Sequence, residues 1–142
     1  MKTILIIEDD IGIQKQLKWS LSDYELVFAQ DRASALTQLR RYEPEVVTLD
    51  LGLPPDPANA SEGLACLNDI LALKPNCKVI VITGNTDTEH ALKAIALGAY
   101  DYYQKPIDAD VLTIILQRAF KLAQLEKENH ALRASSQQQA DI

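Results

Sequence analysis

Val46-Val47-Thr48-Leu49-Asp50-Leu51-Gly52-Leu53-Pro54 is the stretch on which the reading of the chain turns. Its first half is a short apolar, β-branched run, the pattern of a strand buried on both faces. It stops at a carboxylate followed by a glycine and two prolines. Asp50 is thereby placed at the carboxyl end of a strand, the edge where open α/β sheets bind ligands. A strand-ending aspartate more often opens a turn or caps the next helix, and this stretch alone favours that plain role. Three further strand ends shift the balance. Ile4-Leu5-Ile6-Ile7 runs into Glu8-Asp9-Asp10, Val79-Ile80-Val81-Ile82 into Thr83-Gly84, and a strand around Tyr102-Tyr103 into Lys105-Pro106. If these strands are parallel, three acids, Asp50, a hydroxyl and an ammonium meet at one edge. Stability alone would not gather so many like charges.

Working outward, the helices fill the gaps between strands. Asp10 is a fitting N-cap for a helix carrying Ile13, Leu17 and Leu21 at helical spacing, with Trp19 off that stripe and expected to pack on a helix edge. Glu25 to Ala29 reads as a strand, and Asp31 caps a helix that turns Ala35, Leu36 and Leu39 inward before Pro44 ends it. Past Asp50, Pro54, Pro55 and Pro57 forbid a helix until the run of Leu64, Leu67, Ile70 and Leu71. Thr86 to Glu89 has capping-box spacing for a helix ending at Gly98, and Asp108 opens the last helix, from Val111 onward. Five strand-then-helix units predict a doubly wound α/β fold: a five-stranded parallel sheet with helices on both faces.

Composition bounds the function. With 142 residues, 47% of them hydrophobic, one domain with a proper core is expected, and the last stretch is too polar to belong to it. A net charge of −6 and a pI near 4.8 provide no basic face for phosphate backbones, which argues against direct nucleic-acid binding by this segment. No basic-then-apolar leader opens the chain and no apolar run approaches the ~20 residues of a membrane helix, so a cytoplasmic protein without membrane association is expected. Cys66 and Cys77 lack metal-site spacing and read as small core residues. His90 and His130, remote from other candidate ligands, read as surface residues.

The chemistry follows from what Glu8, Asp9 and Asp50, with Lys105 opposite, could hold. Hard carboxylate oxygens at a strand edge suit Mg²⁺, which takes one or two carboxylates plus phosphate oxygens and keeps several waters. With the acids neutralised, an aspartate can attack a phosphoryl donor, and the resulting acyl phosphate needs a cation and a hydroxyl donor. Lys105 and Thr83 are the right types. Such a transfer needs mostly positioning and charge neutralisation, with no general base.

Ile-Ile-Glu-Asp-Asp, Leu-Asp-Leu-Gly-Leu-Pro, Ile-Thr-Gly and Gln-Lys-Pro, in this order and spacing, resemble the receiver domain of two-component response regulators. The resemblance covers residues 1–124 and implies a flavodoxin-like, CheY-like sheet of order 2-1-3-4-5. It implies Asp50 as phosphoacceptor, Glu8 and Asp9 as the acidic pair, and the Gly52 carbonyl as a backbone metal ligand. It further implies a cis Lys105-Pro106 bond, Thr83 as switch hydroxyl and Tyr102 as switch aromatic. A sensor histidine kinase is the implied donor, and no enzymatic activity beyond the domain's own phosphoryl transfer and slow autodephosphorylation is expected. The loop between Asp50 and Gly63 is about five residues longer than is usual in the family. That insert, with Leu-Gly-Leu-Pro-Pro-Asp-Pro, resembles regulators of PEP-CTERM and exosortase systems, built like NtrC-type activators from a receiver, an AAA+ ATPase and a helix-turn-helix. Neither output domain is expected within these residues, so the chain reads as a receiver with its linker, whose transcriptional output lies outside them, or as a stand-alone regulator with a tail.

Two other classes are weighed. An aspartyl-phosphate phosphatase of the haloacid dehalogenase kind needs a second acid two residues after the nucleophile, where Gly52 stands. A flavodoxin-like nucleotide binder needs a glycine-rich loop after the first strand, where Glu8-Asp9-Asp10 would repel phosphate. Residues 125–142 read as a helical linker and polar tail. Leu122, Leu125, Asn129 and Leu132 fall at a, d, a and d of a heptad that continues the last helix, and Lys121 with Glu126 and Glu128 with Arg133 match across parallel chains. A homodimer through the last helix and tail is therefore expected.

Overall fold

The computed structural model describes residues 1–56, 58–84 and 88–140, with side chains as far as Leu132. Strands and helices alternate: β1 (Thr3–Ile7), α1 (Ile11–Ser20), β2 (Glu25–Ala29), α2 (Arg32–Tyr42), β3 (Val46–Asp50), α3 (Ser61–Leu73), β4 (Lys78–Thr83), α4 (Thr88–Leu97), β5 (Asp101–Gln104) and α5 (Ala109–Ala140). The strands form one parallel sheet in the order β2-β1-β3-β4-β5. The crossovers reverse direction beyond β1, and the resulting crevice opens at the carboxyl ends of β1 and β3.

Strand position explains the sequence patterns. Every residue of central β3 and β4 is buried, because helices cover both faces, and these strands read as unbroken apolar runs. Edge strands β2 and β5 alternate buried and more exposed positions. One core, including Leu5, Val47, Leu49, Leu67, Ile70 and Val81, lies beneath α2 and α3. The other, including Ile4, Ile6, Leu17, Ile80, Leu112 and Leu116, lies beneath α1 and α5. Cys66 and Cys77 are free thiols buried in the first core. Burial pushes both up to about 12, so neither is a ready nucleophile.

Helix starts follow the capping residues. Asp10 accepts from the Gly12 and Ile13 amides at 2.7 and 3.2 Å, Asp31 and Ser34 form a reciprocal box, and Asp108 accepts from Asp110 N at 3.0 Å. Glu43, in a left-handed conformation, closes α2 ahead of Pro44. Two expectations are corrected. Helix α3 begins at Ser61, ahead of Leu64, because the proline-rich loop folds on itself: Asp56 accepts from Asn59 Nδ2 at 3.1 Å and Ser61 Oγ at 2.5 Å. Trp19 does not pack on a helix edge; it is 86% exposed. The last helix runs unbroken from Ala109 to Ala140, the extension that the heptad pattern led us to expect. The capping box at Thr86 to Glu89 falls partly on residues 86 and 87, outside the described residues.

Two contacts matter for the site. Arg32 joins α2 to α3 through Asp69 at 2.6 Å and Glu62 at 3.8 Å, which fixes the far end of the long loop. Gly63 lies so close to β3 that a Cβ there would stand 2.4 Å from the Leu51 carbonyl oxygen. At the opposite edge of the sheet, Lys78 Nζ meets Glu126 of α5 at 2.6 Å, and Lys127 pairs with Glu45. The last helix is thus pinned to the amino ends of β3 and β4. Among the described residues, no helix is long and apolar enough to cross a membrane.

Candidate functional site

Each chemical group at the carboxyl edge is delivered by the end of a strand. Glu8 follows β1, its amide donating to Ala29 O at 2.9 Å and its carbonyl accepting from Gln14 Nε2 at 2.6 Å. Asp50 is the last residue of β3, its Oδ1 held by the Gly52 amide at 2.8 Å. Thr83 ends β4, and its carbonyl accepts from the Lys105 amide at 2.8 Å, which sets Lys105 just beyond β5. From there Lys105 Nζ reaches Asp50 Oδ2 at 3.3 Å and Glu8 Oε1 at 3.7 Å. The Lys105-Pro106 peptide is cis, as the resemblance implied, and so is Pro54-Pro55.

Glu8, Asp9 and Asp50 offer carboxylate oxygens that all lie within 4.8 Å of one another. Glu8 and Asp50 are 2% and 6% exposed. Burial, then the adjacent Asp50 carboxylate, push the Glu8 carboxyl up to about 9, against the opposing pull of Lys105. Glu8 thus holds its proton more tightly than an ordinary carboxyl, and Lys105 stands between it and Asp50, closer to Asp50. Burial lowers the Lys105 ammonium, but Asp50 and Glu8 outweigh it, and the net shift is upward. Glu8 Oε1 and Thr83 Oγ1 are buried without a hydrogen-bond partner among the described residues. Buried polar atoms without partners are costly, and here they face the charge-bearing edge. Three clustered hard oxygen donors with an orphaned carboxylate oxygen fit a divalent cation better than they fit each other.

These groups border a cavity of about 290 Å³, lined by Asp9, Asp10, Asp50, Leu51, Gly52, Ala60, Thr83, Gly84, His90 and Lys105. Asp9, Asp50, Gly52, Thr83 and Lys105 were expected there, and Glu8 lies buried beside it. Tyr102 is not among the lining residues; it stands 37% exposed on β5. His90 is a correction: read as a surface residue, it is half-buried and faces the cavity. Ala60, brought in by the long loop in a left-handed conformation, was missed as well. Helix periodicity could have marked His90 only if the start of α4 were known, and no sequence pattern marks Ala60.

A 2-1-3-4-5 parallel sheet with clustered acids and a lysine across a pocket at its carboxyl edge defines a doubly wound α/β domain of the CheY-like kind. The sequence profile of the response regulator receiver domain matches residues 4–117, and the chain belongs to that family. It is 31% identical over 127 residues to the regulatory protein AtoC of Escherichia coli, covering 88% of this chain and 26% of the relative. It is 32% identical over 136 residues to the nitrogen assimilation regulatory protein NtrX of Azorhizobium caulinodans, covering 94% of this chain and 29% of that one. The crystal structure of NtrX from Brucella abortus superimposes with a TM-score of 0.84 at 34% identity, over 92% of this chain and 30% of the other. The chain thus spans between a quarter and a third of the length of these relatives.

Proposed function

We propose that this receiver accepts a phosphoryl group on Asp50 from a sensor histidine kinase and relays the change through its surface to an output region. The observation that carries the reading is the placement of Asp50, a nearly buried carboxylate 3.3 Å from Lys105 and within 4.8 Å of two further acids. Glu8, Asp9, Asp50 and the Gly52 carbonyl are the groups we assign to Mg²⁺, which when bound would neutralise the acids and let a phosphoryl donor approach. Glu8 serves through a bound water. Lys105 offsets the charge gained at Asp50, and the Thr83 hydroxyl, without a partner among the described residues, donates to the phosphoryl oxygens. Drawing Thr83 and Lys105 inward vacates space for Tyr102, whose exposed ring turns in and alters the α4–β5–α5 face. The phosphatase reading has no support at Gly52, which supplies no second acid.

We further infer that residues 1–124 are the receiver and 125–142 the linker to an output region of NtrC type. Specificity for exosortase systems rests on the long loop alone. A cytoplasmic location and a histidine kinase partner go with membership of the family. A homodimer through α5 is supported by Leu122, Leu125 and Leu132, which are 37%, 47% and 65% exposed at heptad positions. Glu126 already pairs with Lys78 of its own chain, so the cross-chain contact with Lys121 has to share that carboxylate. The Arg133 side chain lies outside the described residues.

Incubation with Mg²⁺ and acetyl phosphate, followed by intact mass, tests the central assignment. One phosphoryl group is expected on the wild type and none on Asp50→Asn, with the fold intact; labelling of that variant at the wild-type rate would overturn the assignment.

A further inference from the structure

Among the described residues, Glu8 Oε1, Thr83 Oγ1 and Thr48 Oγ1 are buried without a hydrogen-bond partner. The first two belong to the edge already described, and Thr48 does not. It lies in the middle of β3, 1% exposed, beside Ile6 of β1 and Ile80 of β4. Alternation along the strands separates the two cores, with Val47 and Leu49 in one and Val46, Ile6 and Ile80 in the other. Thr48 therefore shares its face with Val46, and the same alternation continues toward the carboxyl edge to Asp50 on β3 and Glu8 beyond β1. An apolar isostere would suit such a place better, because a hydroxyl buried without a partner costs stability and valine has nearly the same shape. Asp50 is engaged at both oxygens, by the Gly52 amide at 2.8 Å and by Lys105 at 3.3 Å. Glu8 is held on one side only: Oε2 accepts from the Asp10 amide at 3.5 Å, while Oε1 has just the ion-pair contact with Lys105 at 3.7 Å.

We propose that one internal water, hydrogen-bonded to Thr48 Oγ1 and Glu8 Oε1, joins the middle of β3 to the acid cluster, and that Thr48 is through it a positioning residue for the Mg²⁺ site; this rests on Glu8, Asp9 and Asp50 holding the cation. Glu8 stands one strand across from Thr48 and two residues nearer the edge, roughly 8 Å between Cα atoms at 4.8 Å per strand and 3.3 Å per residue. The glutamate side chain covers part of that span, and a water with bonds of about 2.8 Å on each side covers the rest. Buried waters take such places, satisfying polar atoms that the chain leaves unpaired. Held from beneath in this way, the Glu8 carboxylate keeps its orientation toward the cation, the service that hydrogen-bond partners of metal-binding groups commonly perform.

Two variants of the full chain test this. Thr48→Val removes the hydroxyl and keeps the shape, whereas Thr48→Ser keeps the hydroxyl and loses a methyl group. Were the hydroxyl idle, valine would raise the melting temperature of the metal-free chain. It is expected instead to lower it by about 3 to 6 °C, because the water is lost and Glu8 Oε1 is left without it. Mg²⁺ affinity, read by titration calorimetry, is expected to fall about tenfold in Thr48→Val and to stay within about twofold of the wild type in Thr48→Ser, although the serine variant is the less well packed. A valine variant that melts at or above the wild type overturns the proposal. So does one that melts lower with its Mg²⁺ affinity unchanged, which would leave Thr48 a structural residue only, and so does a serine variant that binds Mg²⁺ as weakly as valine. A wild type that binds no Mg²⁺ overturns instead the assignment of the cation to the acid cluster, and the melting comparison then decides the water by itself.

Discussion

Burial at the end of β1, with Asp50 alongside, raises the Glu8 carboxyl well above its ordinary 4.5, and that shift is a thermodynamic handle. A carboxyl raised on folding contributes stability that is complete below its unfolded value and is lost as pH rises through the folded one. The metal-free protein is therefore expected to melt at falling temperature between pH 5 and 9, and Glu8→Gln is expected to flatten that slope. Mg²⁺ must displace the proton, so its affinity should rise with pH over the same window, with proton release visible by calorimetry in buffers of different ionisation enthalpy. Identical melting slopes for wild type and Glu8→Gln would refute this account. Asp50, Thr83 and Lys105 were legible because each punctuates an apolar strand, and a parallel sheet sends every such end to one edge. His90 was not, because its approach depends on where α4 starts and how that helix sits against β4, which no local pattern encodes.

At the scale of elements, the close approach of α3 to β3 does what a side chain could not. Gly63 sits in the first turn of α3 against the backbone of Leu51, the residue that follows Asp50, and a methyl group there would meet the Leu51 Cα at 2.5 Å and its carbonyl oxygen at 2.4 Å. Backbone cannot rotate away as a flexible side chain can, so Gly63→Ala must push the helix or the strand end aside. A loss of about 2 kcal/mol is expected, typical of overpacking, with a fall of roughly 6 to 8 °C in Tm and slower labelling of Asp50. An unchanged melting temperature would mean that the contact is softer than its distances imply. The capped helices were readable from Asp10, Asp31 and Asp108. The start of α3 was not, because Asp56 organises the loop through Asn59 and Ser61, side chains that resemble any polar loop in the sequence.

For the whole molecule, the exposed heptad leucines set the test of assembly. Truncation after Gln124 would also strip Lys78 of its Glu126 partner, leaving a nearly buried ammonium unpaired, a costly change. Replacing Leu125 and Leu132 together by Glu keeps that ion pair, the two side chains being 47% and 65% exposed. Sedimentation at micromolar concentration is expected to find a wild-type dimer and a monomeric double variant that keeps its far-UV circular dichroism; a dimer that survives both substitutions would exclude the coiled-coil interface.

The paired anchors of α5 at Lys78 and Glu45 also have a mechanical meaning. They lie at the edge of the sheet opposite Asp50, and beyond Lys127 the helix continues for about 20 Å at 1.5 Å per residue. That segment is a cantilever with its fulcrum at the two ion pairs. A tilt of roughly ten degrees of α5 against the sheet would sweep its tip by about 3.5 Å over that length, a displacement comparable to a two-residue step along the helix axis. A movement too small to disturb the core of the receiver would thereby be magnified at the far end of α5.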